Sequence, residues 1–156
     1  MSRHYTIAVL CGGNSNEREI SLITGKAIIK ALASFSQFKI RQYDPRQDLA
    51  KIFYDAYHKK IDLIFPALHG QGGEDGRLQG MLELLNIPYV GSGVLASAMG
   101  MNKLMSKRLF QQAKVLTPPY LFFKFNKESK QRIAERSKIL QQIKQKIGLP
   151  CVVKPN

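Results

Sequence analysis

The sequence predicts an α/β fold built on an open, doubly wound parallel sheet, and two observations lead to that prediction. Short apolar runs alternate with segments of helical periodicity through most of the chain, which is typical of βαβ units and a parallel sheet. The run 63–68 is nearly all apolar, as a strand must be when it is covered on both faces. We therefore expect helices on both sides of the sheet.

The first part of the chain supplies most of these elements. Three short apolar runs bounded by turn residues are predicted strands: Tyr5–Cys11, Leu63–Leu68 and Ile87–Val90. Phe38–Tyr43 is interpreted as a further strand. Three segments are predicted helices: one beginning between Ser15 and Ser21, one over Asp48–Tyr57, and one capped by Asp75 and ended by Asn86. The residues of the first helix expected to face inward are Ile23, Ala27, Ala31 and Leu32.

The pattern changes after the Gly-Ser-Gly of residues 91–93, and we place a domain boundary near residue 98. The expected order beyond it is a helix from Asn102 to about Lys114, a strand Tyr120–Phe123, a basic helix from Asn126 to Gly148, and a strand Pro150–Lys154. The apolar stripe of the basic helix is Ile133, Leu140, Ile143 and Ile147. Residues 1–98 and 99–156 are thus the two predicted domains.

Composition limits the classes of protein to which this chain can belong. A chain of 156 residues with 44% hydrophobic side chains can build a core, which excludes disorder as a description of the whole. No apolar run reaches the ~20 residues of a membrane helix, and no secretory signal is recognisable at the N-terminus. The two cysteines, Cys11 and Cys151, lie at the edges of apolar runs and read as buried thiols. We expect a cytoplasmic protein without membrane association.

Charge is distributed unevenly along the chain. Residues 101–156 hold 13 basic and two acidic side chains, a net of +11, whereas residues 1–100 carry only +2. Such asymmetry indicates contact with phosphates of nucleic acid or nucleotide, or a separate structural unit. With so few carboxylates, residues 101–156 cannot build a magnesium site. No metal-ligating residue is predicted in this chain.

Two glycine-rich loops follow predicted strands. The first is the segment 11–17, Cys-Gly-Gly-Asn-Ser-Asn-Glu, and the second is 69–76, His-Gly-Gln-Gly-Gly-Glu-Asp-Gly. Ligands of open α/β sheets bind at the carboxyl edge of the strands, where glycine turns let backbone N–H groups approach an anion. The two loops at one edge favour a binding site, although a purely structural turn remains an alternative for the first.

Four side chains are candidates for the chemistry. Glu17, beside a helix start, can orient an ammonium group or simply serve as a solvated helix-dipole partner. His69 can act as donor, base or ligand, or be structural. Lys103 lies in the first turn of a predicted helix, and Lys154 lies in an apolar predicted strand, where a lysine is rare unless paired with a phosphate or carboxylate.

These segments resemble a known family. Residues 69–80, His-Gly-Gln-Gly-Gly-Glu-Asp-Gly-Arg-Leu-Gln-Gly, are similar to the N-terminal signature of D-alanine–D-alanine ligases of the ATP-grasp superfamily. Residues 8–21, 87–98 and 149–155 also resemble family segments, in the same order. The resemblance implies a Rossmann-like, pre-ATP-grasp substrate-binding domain, followed by the truncated beginning of an α+β ATP-grasp nucleotide-binding domain.

The resemblance also implies an activity. Members of the family phosphorylate the carboxylate of one D-alanine with ATP, and the amine of a second D-alanine attacks the acyl phosphate. Magnesium or manganese and basic side chains offset the charge of the transferred phosphoryl group. By position, Glu17 would be catalytic and hold the first D-alanine's ammonium, His69 would line the same subsite, and Lys103 and Lys154 would contact ATP. A homodimer is the implied assembly.

Two departures from the family pattern are visible. Asn102 replaces the usual aspartate, and both residues cap helices well. The chain stops at Asn156, where the family continues into the phosphate loop, the metal carboxylates and the second subsite, so we expect a fragment that is inactive alone.

The alternative is a stand-alone, non-catalytic module that binds D-alanine, nucleotide or an acidic polymer such as nucleic acid. Nucleic acid is disfavoured because the aromatic residues of the basic part read as strand and core rather than as a stacking platform; they are Tyr120, Phe122, Phe123 and Phe125.

Overall fold

The structure is a computed structural model that describes residues 4–124 and 132–155. Their contacts separate two compact units, divided between Met101 and Asn102. Each unit is described by itself below. The predicted domain boundary near residue 98, and the roles assigned to the two domains, remain predictions.

The first unit is built on a parallel sheet of three strands in the order β2-β1-β3. The strands are β1 (Tyr5–Leu10), β2 (Phe38–Tyr43) and β3 (Leu63–Pro66), which confirms three predicted strands and the α/β class. The predicted fourth strand, Ile87–Val90, is reduced to a single parallel bridge between Ile64 and Tyr89. Two backbone hydrogen bonds of Ile64 hold it, one to the carbonyl of Pro88 and one from the N–H of Val90.

Four helices complete this unit: α1 (Arg18–Leu32), α2 (Pro45–Tyr57), α3 (Arg77–Leu84) and α4 (Val94–Met101). The start of α1 falls in the predicted range, while α4 was not predicted. Helix α2 begins before the predicted Asp48 because the Asp44 side chain accepts a hydrogen bond from the backbone N–H of Arg46 and Pro45 occupies the first turn. Asn86, with φ +51°, follows the end of α3 as predicted.

Successive residues of β1 face opposite sides of the sheet, and a separate core lies on each side. Ala8 and Leu10 belong to a core shared with α2 and α3, whereas Val9 and Cys11 belong to a core shared with α1. Helices therefore cover both faces, which is the doubly wound arrangement that the apolar run of β3 predicted. Cys11 is fully buried, as expected.

The inward face of α1 differs from the prediction. Ile23 is 67% exposed, and Ala27 and Ala31 are also exposed. The buried positions are instead Ser21 and Gly25. Small residues face inward because the helix lies against the end of β1. The apolar residues that pack on this core from α1 are Leu22, Ile28, Ile29 and Leu32.

The second unit contains α5 (Lys103–Gln112) and α6 (Arg132–Lys146). Asn102 caps α5 as predicted, its Oδ1 accepting a hydrogen bond from the N–H of Met105 at 2.8 Å. Gly148 has φ +86° just beyond α6, as expected for a helix stop. Asn126, the predicted start of the basic helix, and Phe125 lie outside the described residues.

Two strand predictions in this unit are wrong. Residues 120–123 and 150–154 have no regular secondary structure. Neither segment is paired with another described strand, and an unpaired segment cannot satisfy its backbone as a sheet does. Within the stripe predicted for the basic helix, Leu140 is 58% exposed and Ile143 and Ile147 are half-buried, while the burial of Ile133 is outside the described structure.

None of the helices in the described part of the chain combines the length and apolar character of a membrane span.

Candidate functional site

The two glycine-rich loops lie side by side at the carboxyl edge of the sheet, because β1 and β3 are neighbouring parallel strands. Between them is a cleft of ≈ 180 Å³. Side chains and backbone of both loops line it, together with the first turn of α2; the lining residues include Gly12, Gly13, Ser15, His69, Gly72, Pro45 and Leu49. The structure thus brings the predicted loops together at one edge.

The first loop is held by side chains that the sequence did not single out. The N–H of Gly12 donates to Ser21 Oγ at 2.8 Å, and the N–H of Gly13 donates to Asp44 Oδ1 at 2.9 Å. Arg18 donates to the Gly13 carbonyl at 2.9 Å and to Asp44 Oδ2 at 2.5 Å. Gly12 has φ +94°, and a Cβ there would lie 2.7 Å from Asp44, so only glycine fits.

Asp44 is held as a carboxylate by this arrangement. Partial burial works to raise the pKa of its carboxyl, but the hydrogen bonds from Arg18, Gly13 and Arg46 outweigh that effect, so the pKa lies below its ordinary value. The same carboxylate raises the pKa of Arg18. The Arg18–Asp44 pair therefore stays charged and joins the starts of α1 and α2 to the first loop.

The second loop is tied in a similar way. The N–H of Gly70 donates to Glu74 Oε2 at 2.7 Å, and the N–H of Gly72 donates to Asp75 Oδ2 at 2.9 Å. Gln79, which is nearly buried, donates from Nε2 to the Gly73 carbonyl at 2.9 Å.

The idea that the glycines present N–H groups to an anion is therefore wrong for four of them. The N–H groups of Gly12, Gly13, Gly70 and Gly72 already donate to side-chain oxygens of the protein, three of them carboxylate oxygens. An edge whose N–H groups are occupied and whose surface carries carboxylates favours a cationic group over a phosphate.

Glu17 is placed at this edge. It is the residue that immediately precedes α1, and its side chain is exposed. A Cβ on Gly70 would lie 3.2 Å from Glu17 Oε1, so the carboxylate of Glu17 lies against the backbone of the second loop. Among the described residues, no hydrogen bond or ion pair occupies this carboxylate, which leaves its oxygens able to accept hydrogen bonds from a ligand.

His69 follows β3 and lines the cleft, and the next residue, Gly70, is the one that Glu17 lies against. Its Nε2 is 3.0 Å from Thr24 Oγ1, and its Nδ1 is 3.9 Å from Glu74 Oε1. Ser15 Oγ donates to its backbone carbonyl at 2.7 Å. The structure therefore brings Glu17 and His69 to one edge, as the candidate substrate subsite requires.

The two candidate ATP lysines belong to the second unit. Lys103 begins α5 and is exposed. Lys154 is exposed as well, and its neighbours Val152 and Val153 are 81% and 85% exposed. The premise that Lys154 lies in a buried strand is therefore wrong, because no such strand forms here. Its proposed contact with ATP remains a prediction.

No metal site is found in the described part of the chain: its His, Cys, Asp and Glu side chains nowhere come together in threes as metal ligands.

Several residues that build the site escaped the sequence analysis. Asp44 had a usable signal, since an aspartate before proline is a common start of a helix. Ser21 had a weaker one, since it stands four residues from Gly25 and this spacing places two small residues on one helix face. Thr24 had none, because its partner His69 is distant in sequence.

The amino-acid sequence and the fold of this chain are similar to those of known proteins. The family model described as "D-ala D-ala ligase N-terminus" matches residues 35–92. A D-alanine–D-alanine ligase of Syntrophobacter fumaroxidans is 43% identical over 152 residues, covering 96% of this chain and 44% of the relative. One of Carboxydothermus hydrogenoformans is 42% identical over 148 residues, covering 95% and 45%.

The chain therefore matches the N-terminal portion of D-alanine–D-alanine ligases. It spans less than half the length of these curated relatives. The solved D-alanine–D-alanine ligase of Bacillus anthracis, complexed with ATP, is 32% identical with a TM-score of 0.69, covering 86% of this chain and 43% of that one. D-alanyl-alanine synthetase A of Vibrio cholerae is 29% identical with a TM-score of 0.73, covering 91% and 47%.

Proposed function

We propose that this chain supplies the first D-alanine subsite of an ATP-dependent D-alanine–D-alanine ligase that makes the dipeptide for peptidoglycan. The observation that carries the proposal is the exposed carboxylate of Glu17 at an edge where the glycine N–H groups are already occupied. An amino acid presents an ammonium group, which is the partner that such an edge accepts.

The proposed reaction has two steps. The carboxylate of the first D-alanine attacks the γ-phosphorus of ATP, which releases ADP and forms an acyl phosphate. The amine of the second D-alanine then attacks the acyl carbon, which releases inorganic phosphate and forms the peptide bond. Glu17 contributes by accepting hydrogen bonds from the first substrate's ammonium, which orients its carboxylate for the transfer. His69 lines the same subsite and restricts the substrate's position.

Lys103 and Lys154 are proposed to contact the phosphates of ATP. Their support is the family resemblance of the segments that contain them, the exposure of both side chains, and the strongly basic composition of residues 101–156. A lysine ammonium binds phosphate oxygens as a point charge and offsets the charge that develops during transfer. The family resemblance implies Mg²⁺ or Mn²⁺ with ATP.

The proposed setting is a cytoplasmic homodimer, since ATP and D-alanine are the substrates and the family is commonly dimeric. The second candidate is a stand-alone module that binds D-alanine, nucleotide or nucleic acid. The net charge of +11 over residues 101–156 favours it. Nucleic acid was disfavoured because the aromatic residues of this part were expected to form a strand and core. That reason no longer holds, because residues 120–123 form no strand and Phe122 is 48% exposed.

The test uses the native protein, purified from its source through a tag at the N-terminus. Its intact mass is measured, and the formation of ADP and D-alanyl-D-alanine is followed with ATP, Mg²⁺ and D-alanine. We expect a mass well above 17.6 kDa and ADP formation that requires D-alanine. A native protein of 17.6 kDa that forms no dipeptide contradicts the ligase proposal. Tight DNA binding that weakens steeply with salt would then support the alternative.

A further inference from the structure

Three hydroxyl groups of the segment 15–24 contact the residues that directly follow β3. Ser21 Oγ donates to the Ala67 carbonyl at 2.7 Å in a fully buried position, and Ser15 Oγ donates to the His69 carbonyl at 2.7 Å. Thr24 Oγ1 lies 3.0 Å from His69 Nε2. The backbone of His69 is thus held by the first two hydroxyls, and the third one contacts its ring.

With the backbone held, the remaining freedom of His69 is the orientation of its imidazole and the position of its ring proton. Both ring nitrogens face a polar group of this unit. Nδ1 is 3.9 Å from Glu74 Oε1, and Nε2 faces the Thr24 hydroxyl. The ring is 28% exposed, so one edge remains open to the cleft that it lines.

The two neighbours are not equivalent chemically. A carboxylate only accepts hydrogen bonds and attracts positive charge, so it favours a proton on Nδ1. A threonine hydroxyl can donate or accept, and it can therefore donate to an unprotonated Nε2. Thr24 lies on α1, where a threonine side chain is restricted to two main rotamers, and in the rotamer present its hydroxyl faces Nε2.

We propose that Thr24 is a positioning residue: its hydroxyl donates to Nε2 and thereby holds His69 as the Nδ1–H tautomer with its ring fixed at the edge of the cleft. The Glu74 carboxylate, 3.9 Å from Nδ1 and beyond hydrogen-bond distance, adds only electrostatic attraction for that N–H. This inference rests on the proposed function, because it gives the reason why His69 can restrict the first D-alanine. Thr24 acts through the imidazole and needs no contact with substrate. Two carboxylates lie near His69. Glu74 Oε1 is 3.9 Å from the ring nitrogen Nδ1, and Glu17 lies against the backbone of Gly70.

The first measurement determines which ring nitrogen of His69 carries the proton. The native protein is labelled with ¹⁵N-histidine, and long-range ¹H–¹⁵N spectra are recorded at a pH where the imidazole is neutral. A His69→Gln variant assigns the signals of His69 among those of the other histidines of the native protein, which include His4 and His58. We expect the Nδ1–H pattern in the wild type, a mixture of tautomers in Thr24→Val, and the wild-type pattern in Thr24→Ser. A wild-type Nε2–H pattern, or an unchanged pattern in Thr24→Val, overturns the proposal.

The second measurement connects the ring to the substrate. In Thr24→Val the KM for the first D-alanine should rise about three- to tenfold, the effect of losing one hydrogen bond, while kcat stays within about twofold. Thr24→Ser should restore the wild-type KM, because it keeps the hydroxyl and loses only the methyl. A Thr24→Ser variant that is as impaired as Thr24→Val indicates a packing role and contradicts the proposal.

The two proposals fail in different ways. If the tautomer changes as expected in Thr24→Val while neither His69→Gln nor Glu17→Gln affects the use of D-alanine, the assignment of the subsite is wrong and the tautomer assignment stands. If Glu17→Gln impairs D-alanine use and the spectra of Thr24→Val remain those of the wild type, the subsite stands and Thr24 has no positioning role.

Discussion

Gly25 of α1 lies so close to Cys11 that a Cβ built on the glycine would be 2.4 Å from the Cys11 Cβ and 2.7 Å from its Sγ. The backbone of the helix therefore packs directly on the side chain of Cys11, the residue that follows β1. This contact places the first turn of α1, and with it Glu17, beside the loops at the edge of the sheet.

The first prediction concerns this contact. Gly25→Ala should lower the free energy of unfolding by about 1–3 kcal/mol, because the added methyl overpacks a filled core and this cost exceeds the gain in helix propensity. The measurement is a denaturant titration of the variant and the wild type.

The matched control is Gly100→Ala, at a helical glycine of α4 where an added Cβ would meet nothing within 4 Å. That change should leave the protein as stable or raise the free energy of unfolding by up to about 1 kcal/mol. Equal effects of the two substitutions would contradict the close contact.

The second prediction concerns the two buried hydrogen bonds of the Ser21 hydroxyl. Its hydroxyl accepts from the Gly12 N–H and donates to the Ala67 carbonyl, so Ser21→Ala leaves two buried backbone groups without a partner. We expect a loss of about 1–3 kcal/mol or more in the free energy of unfolding, again measured by denaturant titration. Ser34→Ala, which removes an exposed hydroxyl bonded to the Ala31 carbonyl, should change it by less than about 0.5 kcal/mol.

Asp55 makes stability depend on pH. Tyr43 donates to its buried carboxylate at 2.8 Å, and Arg41 and Lys60 lie 3.2 and 3.5 Å away. The hydrogen bond from Tyr43 is the largest cause that lowers the pKa of Asp55, and it outweighs the burial that raises it. Because the folded pKa is below the unfolded value of 3.8, the stabilisation is fully present above that pH and is lost as the pH falls through the folded pKa.

The measurement is the denaturant midpoint at neutral pH and below pH 3.8 for the wild type and Asp55→Asn. The variant should be less stable at neutral pH and should lose less stability on acidification. Glu19→Gln, at an exposed position of α1, serves as the control and should follow the wild type. An Asp55→Asn variant with the acid sensitivity of the wild type would contradict the role of this carboxylate.

The fourth prediction concerns the proposed contact between Lys154 and ATP. In the native protein, Lys154→Ala should raise the KM for ATP about tenfold or more, because a charge-assisted contact to phosphate is lost. Initial rates at varied ATP and saturating D-alanine measure it. Lys144→Ala, on the exposed face of α6, should leave the KM unchanged. If Lys154→Ala also leaves it unchanged, Lys154 does not contact ATP.

Sequence patterns predicted the three strands of the sheet in the first unit, together with a fourth, Ile87–Val90, that forms only a bridge. Apolar runs predicted β1 and β3, since buried parallel strands need continuous apolar residues. They failed on the inward face of α1, because hydrophobicity cannot reveal that a helix approaches a strand closely enough to require Ser21 and Gly25. They also failed for residues 120–123 and 150–154, because an apolar run becomes a strand only when another strand pairs with it.

The sequence predicted the loops of the site but not the hydrogen bonds that hold them. The glycines and the two candidates Glu17 and His69 are visible in the sequence. The partners that occupy the glycine N–H groups are side chains such as Asp44, which is separated from Gly13 by the whole of α1. Long-range pairs of this kind depend on the fold, so the sequence could not show that the glycine N–H groups are already occupied.

The central claim is that Glu17 holds the ammonium of the first D-alanine, and D-alanine saturation of the native protein tests it most directly. Initial rates are measured for the wild type, Glu17→Gln and the neighbouring control Glu19→Gln. We predict that Glu17→Gln raises the KM for the first D-alanine about ten- to a hundredfold, the loss of a charged hydrogen bond, while Glu19→Gln behaves as the wild type. A Glu17→Gln variant that saturates with D-alanine as the wild type does would contradict the account.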